Sequence, residues 1–302
     1  MKPLRFSVVS KAFKRGAGQL QVIRELSFEL ESGTVLGLIG PNGAGKTTAI
    51  RIGCGLIVPD SGSVEVAGRN PARDPEARGY IGTLLEGSRN LYWRLNALEN
   101  LEYFGGLKGL PVGEARKRAR FLLSQLGLED KATVPIQALS RGMQQRVAII
   151  AAMIARPQIL FLDEPTVGLD HASSQFIEQH VPALATNEGT AICVTSHQPE
   201  VIRAMAGHVI VLRNGAIARE GRLRDIESTR PGYDIELRNG LDAETREELA
   251  AVFPGVEVTE RNINLACDPA DVYDVLDYLR PREIVRIARR AGSLNDWFST
   301  LH

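Results

Sequence analysis

The chain has 302 residues, 44% of them hydrophobic, with 36 basic and 36 acidic side chains. That length suits one large domain or two smaller ones, each with a packed core. A zero formal net charge argues against nucleic acid as the main ligand. The longest apolar run, Val147 to Ala155, is far short of the ~20 residues of a membrane span, so any membrane role comes through a partner. Met1 to Ser10 lacks the apolar centre of a secretion signal. Cys54, Cys193 and Cys267 are far apart without metal-ligand spacing and read as reduced core thiols of a cytosolic protein. The basic cluster Arg116-Lys117-Arg118-Ala119-Arg120 reads as a solvated helix face.

In chain order, residues 4–9 and 20–30 read as strands, the second from alternation at Ile23, Leu26, Phe28 and Leu30. Val35 to Ile39 is an apolar run with the character of a buried strand. A helix-like segment, Ala49 to Leu56, follows a glycine-rich stretch. Ser63 to Val66 is a short strand after a Ser61-Gly62 turn, and Ile81 to Leu85 is another strand, ending at Glu86. The pattern then becomes helical. Asn96 with Glu99 forms a capping box. Ala115, Ala119, Leu122, Leu123 and Leu126 share a helix face that Gly127 ends. Ser140 opens a helix to about Ala155, before Pro157. Residues 88–157 therefore read as a helical insertion in an α/β domain. Strand and helix alternation returns with a strand from Ile159 to Leu162, a helix over 172–185 and a strand from Ala191 to Thr195. A hairpin around Asn214-Gly215 closes this part.

Arg230-Pro231-Gly232 marks a boundary between residues 1–229 and 230–302. The second part reads strand-helix-strand-strand-helix-strand, which predicts a small ferredoxin-like α+β unit. Ser293 then caps a short terminal helix carrying Leu294, Trp297, Phe298 and Leu301.

Two stretches carry chemistry. Gly40-Pro41-Asn42-Gly43-Ala44-Gly45-Lys46-Thr47-Thr48 matches G-x-x-x-x-G-K-[ST] between a strand and a helix, the setting of a phosphate-binding loop. Its glycines let backbone N–H groups wrap an anion, and the helix N-terminus adds positive potential. Lys46 is placed to reach the β- and γ-phosphates and Thr47 to hold Mg²⁺. Downstream, Ile159-Leu160-Phe161-Leu162-Asp163-Glu164-Pro165 ends a buried strand in two carboxylates, at the sheet end that carries ligands. Asp163 suits the metal shell, and Glu164 suits orienting and deprotonating the attacking water.

With these in place, Leu139-Ser140-Arg141-Gly142-Met143-Gln144-Gln145-Arg146 resembles the signature motif of ABC ATPases. Gly168-Leu169-Asp170 resembles their D-loop, His197 their switch histidine, and Phe13 the aromatic residue that stacks on adenine. The resemblance covers residues 4 to about 225. Arg141 stands where the family usually has glycine, Met143 where it has glutamine, and Glu86 at its Q-loop glutamine. The Leu-Ser-Arg-Gly-Met form and the Ser293-to-Phe298 ending resemble ATP-binding subunits of drug-resistance-type exporters. Several expectations follow from the likeness. The cofactors are ATP and Mg²⁺. A homodimer forms on ATP binding, with Ser140 and Gly142 facing the γ-phosphate held by the other subunit. Glu86 reaches the metal, and His197 serves catalysis beside Glu164 and Lys46. A polytopic membrane permease is the partner, at the inner face of the cell membrane, and transport runs as export. The alternative is a non-transport ABC ATPase regulating a cytosolic assembly. Translation-type members carry two ATPase units and repair-type members a long coiled coil, and neither pattern occurs here.

Overall fold

The computed structural model describes residues 2–16, 18–85, 91–227, 232–253, 256–266 and 269–290. The chain divides into two compact units, the first ending at Gly221 and the second beginning at Arg222. The division falls earlier than the proline-glycine signal predicts, because a short helix after the last strand of the first unit groups with the second.

The first unit opens with β1 (Leu4–Arg15), β2 (Gly18–Leu30) and β3 (Val35–Ile39), then α1 (Lys46–Gly53) and β4 (Ser61–Val66). Next come α2 (Pro75–Gly79) and β5 (Ile81–Leu84), followed by α3 (Ala97–Leu107), α4 (Val112–Gln125) and α5 (Arg141–Met153). The α/β pattern resumes with β6 (Ile159–Asp163), α6 (His171–Glu188), β7 (Ala191–Ser196), α7 (Pro199–Met205), β8 (His208–Arg213) and β9 (Ala216–Arg222). The strands form two sheets, a three-stranded one in the order β2-β1-β4 and a six-stranded one in the order β5-β6-β7-β3-β8-β9. In the small sheet β1 pairs antiparallel with both neighbours. In the large one β5 to β6, β6 to β7, β7 to β3 and β3 to β8 all run parallel.

Every residue of β3, β6 and β7 is buried. That is why these segments are nearly continuous apolar runs: a parallel strand covered on both faces has no side left for polar residues. Phe6 and Phe28 of the small sheet stack at 4.5 Å and join the core that Phe161 and Leu38 fill from the large sheet. Between β8 and β9, Asn214 and Gly215 both have positive φ, of 50° and 80°. This is the signature of the tight hairpin turn their dipeptide predicts.

The helical insertion is present as α3, α4 and α5 between the paired strands β5 and β6. Asn96 and Glu99 make the reciprocal capping box at the start of α3. Arg118 departs from the solvated-face reading. It is buried, and donates from Nη1 to Glu188 Oε1 at 2.9 Å, with Nη2 on Oε2 as a second bond. The charge run misleads because one arginine of the cluster turns inward to meet the last residue of α6.

The second unit holds α8 (Leu223–Glu227), β10 (Gly232–Leu237), α9 (Ala243–Val252), β11 (Val256–Val258), β12 (Asn262–Ala266), α10 (Pro269–Tyr278) and β13 (Ile284–Arg290). Its sheet order is β11-β12-β10-β13, antiparallel throughout. That order, with the two helices between the strands, is a split strand-helix-strand arrangement. Ile235, Leu237, Ile263 and Leu265 pack in one core with Leu249 of α9, Val275 of α10 and Leu279 just after α10. Glu86, Cys267 and the Ser293-to-Leu301 segment lie outside the described residues. Among the described residues no helix is long and apolar enough to cross a membrane.

Candidate active site

The glycine-rich loop leaves the C-terminal end of β3 and turns into α1. That helix begins at Lys46, three residues before the apolar spacing alone places it. Gly45 precedes it at φ 106°, a left-handed conformation that a side chain rarely tolerates. No side chain caps the helix, so the N–H groups at its start point out of the helix toward the loop. The loop folds on itself through Ala44 N–H to Pro41 O at 3.1 Å. Lys46 is buried, and its Nζ donates to Gly40 O at 2.7 Å and to Pro41 O at 3.3 Å. Uncapped amides and a desolvated ammonium in one glycine-framed loop make a site for a polyanion.

Asp163 ends β6, two strands from β3 in the sheet, with β7 between them. One carboxylate oxygen, Oδ1, accepts from Thr195 Oγ1 at 2.6 Å and from Thr47 Oγ1 at 3.3 Å. The other, Oδ2, is buried and has no hydrogen-bond partner among the described residues. An orphaned buried carboxylate oxygen is costly unless a cation meets it. Mg²⁺ fits this donor set, since it takes one or two carboxylates and a hydroxyl and completes its octahedron with water and phosphate oxygens. It does not need the denser cluster of acidic and imidazole groups, and none occurs among the described residues.

Glu164 is buried and adopts φ 50°, an unusual conformation for a residue with a side chain. Its N–H donates to Thr195 O and to Thr195 Oγ1, each at 3.2 Å. Oε1 lies 3.0 Å from His197 Nδ1 and 3.9 Å from Lys46 Nζ. Oε2 is buried without a hydrogen-bond partner among the described residues. Beneath the site, burial pushes the Cys193 thiol up to about 12, with the Asp163 charge adding to it. Burial, then Cys193 and Asp163, push Cys54 up as well. Both thiols stay protonated and inert, as core thiols should.

The structure thus brings Lys46, Thr47, Asp163, Glu164 and His197 into one connected cluster at the ends of β3, β6 and β7. Pro41, Asn42, Gly43 and Ala44 lie in the loop, and Thr48 on the first turn of α1. Phe13, Ser140 and Gly142 belong to other elements. Phe13, on β1, is 39% exposed with Lys11 Nζ 5.5 Å from its ring centroid. Ser140 caps α5, its Oγ accepting from Met143 N–H at 3.3 Å. Gly142 has a local reason to be glycine, because an added Cβ would sit 2.1 Å from Ser173 Oγ of α6. Two residues to which the sequence gives no role of their own also join this site. Gln145 Nε2 donates to Pro165 O at 2.7 Å, joining α5 to the loop after β6. Thr195 bridges both acidic residues, and its sequence signal is a polar residue near the end of a largely apolar strand.

An anion loop after β3 and two carboxylates at the end of β6 define a phosphate-loop nucleoside triphosphatase. The ABC transporter family profile matches residues 23–167. The chain is 35% identical over 227 residues to the ABC transporter ATP-binding protein NatA of Bacillus subtilis, covering 75% of this chain and 92% of that one. It is 36% identical over 295 residues to Nod factor export ATP-binding protein I of Sinorhizobium fredii, covering 97% and 84%. Among solved structures it resembles the dimeric post-hydrolysis state of the ATP-binding cassette MJ0796 bound to ADP and Pi. The TM-score is 0.65 and the identity 31%, over 73% of this chain and 99% of that one. The chain belongs to the ATP-binding subunits of ABC transporters, ATPases that drive transport.

Proposed function

We propose that this chain hydrolyses MgATP as a head-to-tail homodimer and powers export through a separate polytopic membrane subunit at the inner face of the cell membrane. The observation that carries the reading is the connected cluster of Lys46, Thr47, Asp163, Glu164 and His197. In this account the loop amides and Lys46 bind the phosphates, and Phe13 stacks on adenine. Glu164 Oε2 takes a proton from the attacking water, while His197 holds Oε1 and fixes the carboxylate's orientation. Thr47 and Asp163 hold Mg²⁺, which supplies charge neutralisation at the β- and γ-phosphates. Glu86 keeps the metal-linked role that the likeness implies. Ser140 and Gly142 complete the site of the other subunit.

A membrane partner is supported by a groove of about 460 Å³ between the helical insertion and β5, lined mostly by apolar and aromatic residues with Lys108 at its wall. Leu91, Tyr92, Tyr103, Phe104, Leu107 and Ala152 are among its lining residues. Tyr92, Tyr103 and Leu107 are exposed there, and a rim of tyrosine with leucine suits a protein contact rather than water. Its occupant in this reading is a cytoplasmic segment of the membrane subunit. Export is supported by the name of the Nod factor relative, which matches nearly the whole chain.

Affinity capture of the full-length chain from detergent-solubilised membranes tests the partner. One polytopic membrane protein should co-purify in fixed ratio and raise the rate of phosphate release. Capture of a cytosolic assembly in its place, with no membrane protein, would overturn the transport reading.

A further inference from the structure

We propose that Thr195 is a positioning residue that fixes which oxygen of Asp163 faces the metal and ties that choice to the backbone of Glu164. This inference rests on the MgATP reading above. Thr195 is fully buried near the end of β7. β7 lies between β6 and β3, and Thr195 is in register with Asp163. Its hydroxyl therefore stands between the strand that carries the carboxylates and the strand that launches the phosphate loop.

The direction of its hydrogen bonds is settled by chemistry. A backbone N–H can only donate, so Thr195 Oγ1 accepts from Glu164 N at 3.2 Å. Its single proton is then free for Asp163 Oδ1, at 2.6 Å. Thr47 Oγ1 reaches the same oxygen from the phosphate loop at 3.3 Å. Oδ1 thus takes both hydroxyl donors, and Oδ2 takes none among the described residues. When Thr47 turns to the metal, Thr195 is the donor left on Oδ1. Without it the carboxylate could rotate and present either oxygen. The same hydroxyl shares the N–H of Glu164 with the Thr195 carbonyl, each at 3.2 Å, and the φ of 50° at Glu164 needs such support. One buried hydroxyl therefore aligns the metal-facing acid and the water-facing acid together.

The test uses the full chain with Thr195→Val, which keeps the branched shape and removes the hydroxyl, and Thr195→Ser, which keeps the hydroxyl. Affinity for a fluorescent ATP analogue is measured in EDTA and across a Mg²⁺ titration, and circular dichroism checks the fold. In EDTA all three proteins should bind alike. The Mg²⁺ midpoint of Thr195→Val should rise about tenfold, as expected for losing a hydrogen bond to a charged group. Thr195→Ser should stay with wild type. If Thr195→Val does not fold, Thr195→Ala is measured in its place with the same expectation. Superimposable Mg²⁺ curves for wild type and the hydroxyl-free variant would overturn the role. Equal displacement in the serine variant would also overturn it, by assigning the effect to lost packing. A wild-type chain whose nucleotide affinity ignores Mg²⁺ would instead overturn the MgATP reading itself.

Discussion

Glu164 combines three features that rarely coincide in a residue with only a structural role. It is buried, it holds a left-handed backbone at φ 50°, and one carboxylate oxygen has no hydrogen-bond partner among the described residues. Strain of that kind costs about 1–3 kcal/mol and persists where the surroundings over-determine it. Here Thr195 and His197 supply that constraint. Phe13 is the opposite case, a large aromatic left 39% exposed on β1. If it stacks on adenine, Phe13→Ala loses about 0.5–1.5 kcal/mol of ring contact, which weakens ATP binding up to about tenfold. Calorimetric titration checks this, and unchanged affinity in a folded variant would remove Phe13 from the site. The glycine loop, Asp163 and Glu164 could be read from the sequence because contiguous residues carry their chemistry. Thr195 could not, because its role depends on β7 lying beside β6, and strand order is not written in local spacing. Gly142 was legible as a motif residue, but its close approach to Ser173 was not.

At the scale of elements, the helical insertion is tied to the sheet-bearing part by a buried ion pair. Arg118 of α4 and Glu188 of α6 make two parallel bonds, with side chains 7% and 11% exposed. Removing one partner of such a pair strands the other charge, at a cost of about 3–5 kcal/mol. Arg118→Ala should therefore lower unfolding free energy by about that amount in urea titration. The double replacement Arg118→Met with Glu188→Leu should recover most of it. A loss below about 1 kcal/mol in the single variant, as exposed pairs give, would contradict the account. The helices α3, α4 and α5 were legible from apolar periodicity and caps, and β3, β6 and β7 from their largely apolar runs. The inward turn of Arg118 was hidden, since a charged residue within a basic cluster gives no sign of a distant partner. The short helices α2 and α7 were missed because one or two turns are too brief to establish a period.

Across the whole molecule, the phosphate loop, both acidic residues and His197 fall within the first compact unit, which ends at Gly221. The second unit has its own buried core. A chain truncated after Gly221 should fold by circular dichroism and bind ATP with nearly full-length affinity, with the deficit appearing in dimer stability or partner assembly. A folded truncated chain unable to bind nucleotide would show that the second unit contributes to the site. Sequence rhythm puts the boundary at the proline-glycine signal, whereas compactness puts it at the end of the hairpin.

In the proposed reaction the first unit turns over MgATP with Glu164 as the base. Steady-state phosphate release by the full chain, compared with Glu164→Gln, tests it most directly. The amide keeps size and hydrogen bonding but cannot take a proton, so release should fall by about 10²–10⁴-fold while ATP binding survives. A dimer stable in ATP but not in ADP should accumulate in the variant. Near-normal release by Glu164→Gln, or none from a wild-type chain that binds ATP, would contradict the account.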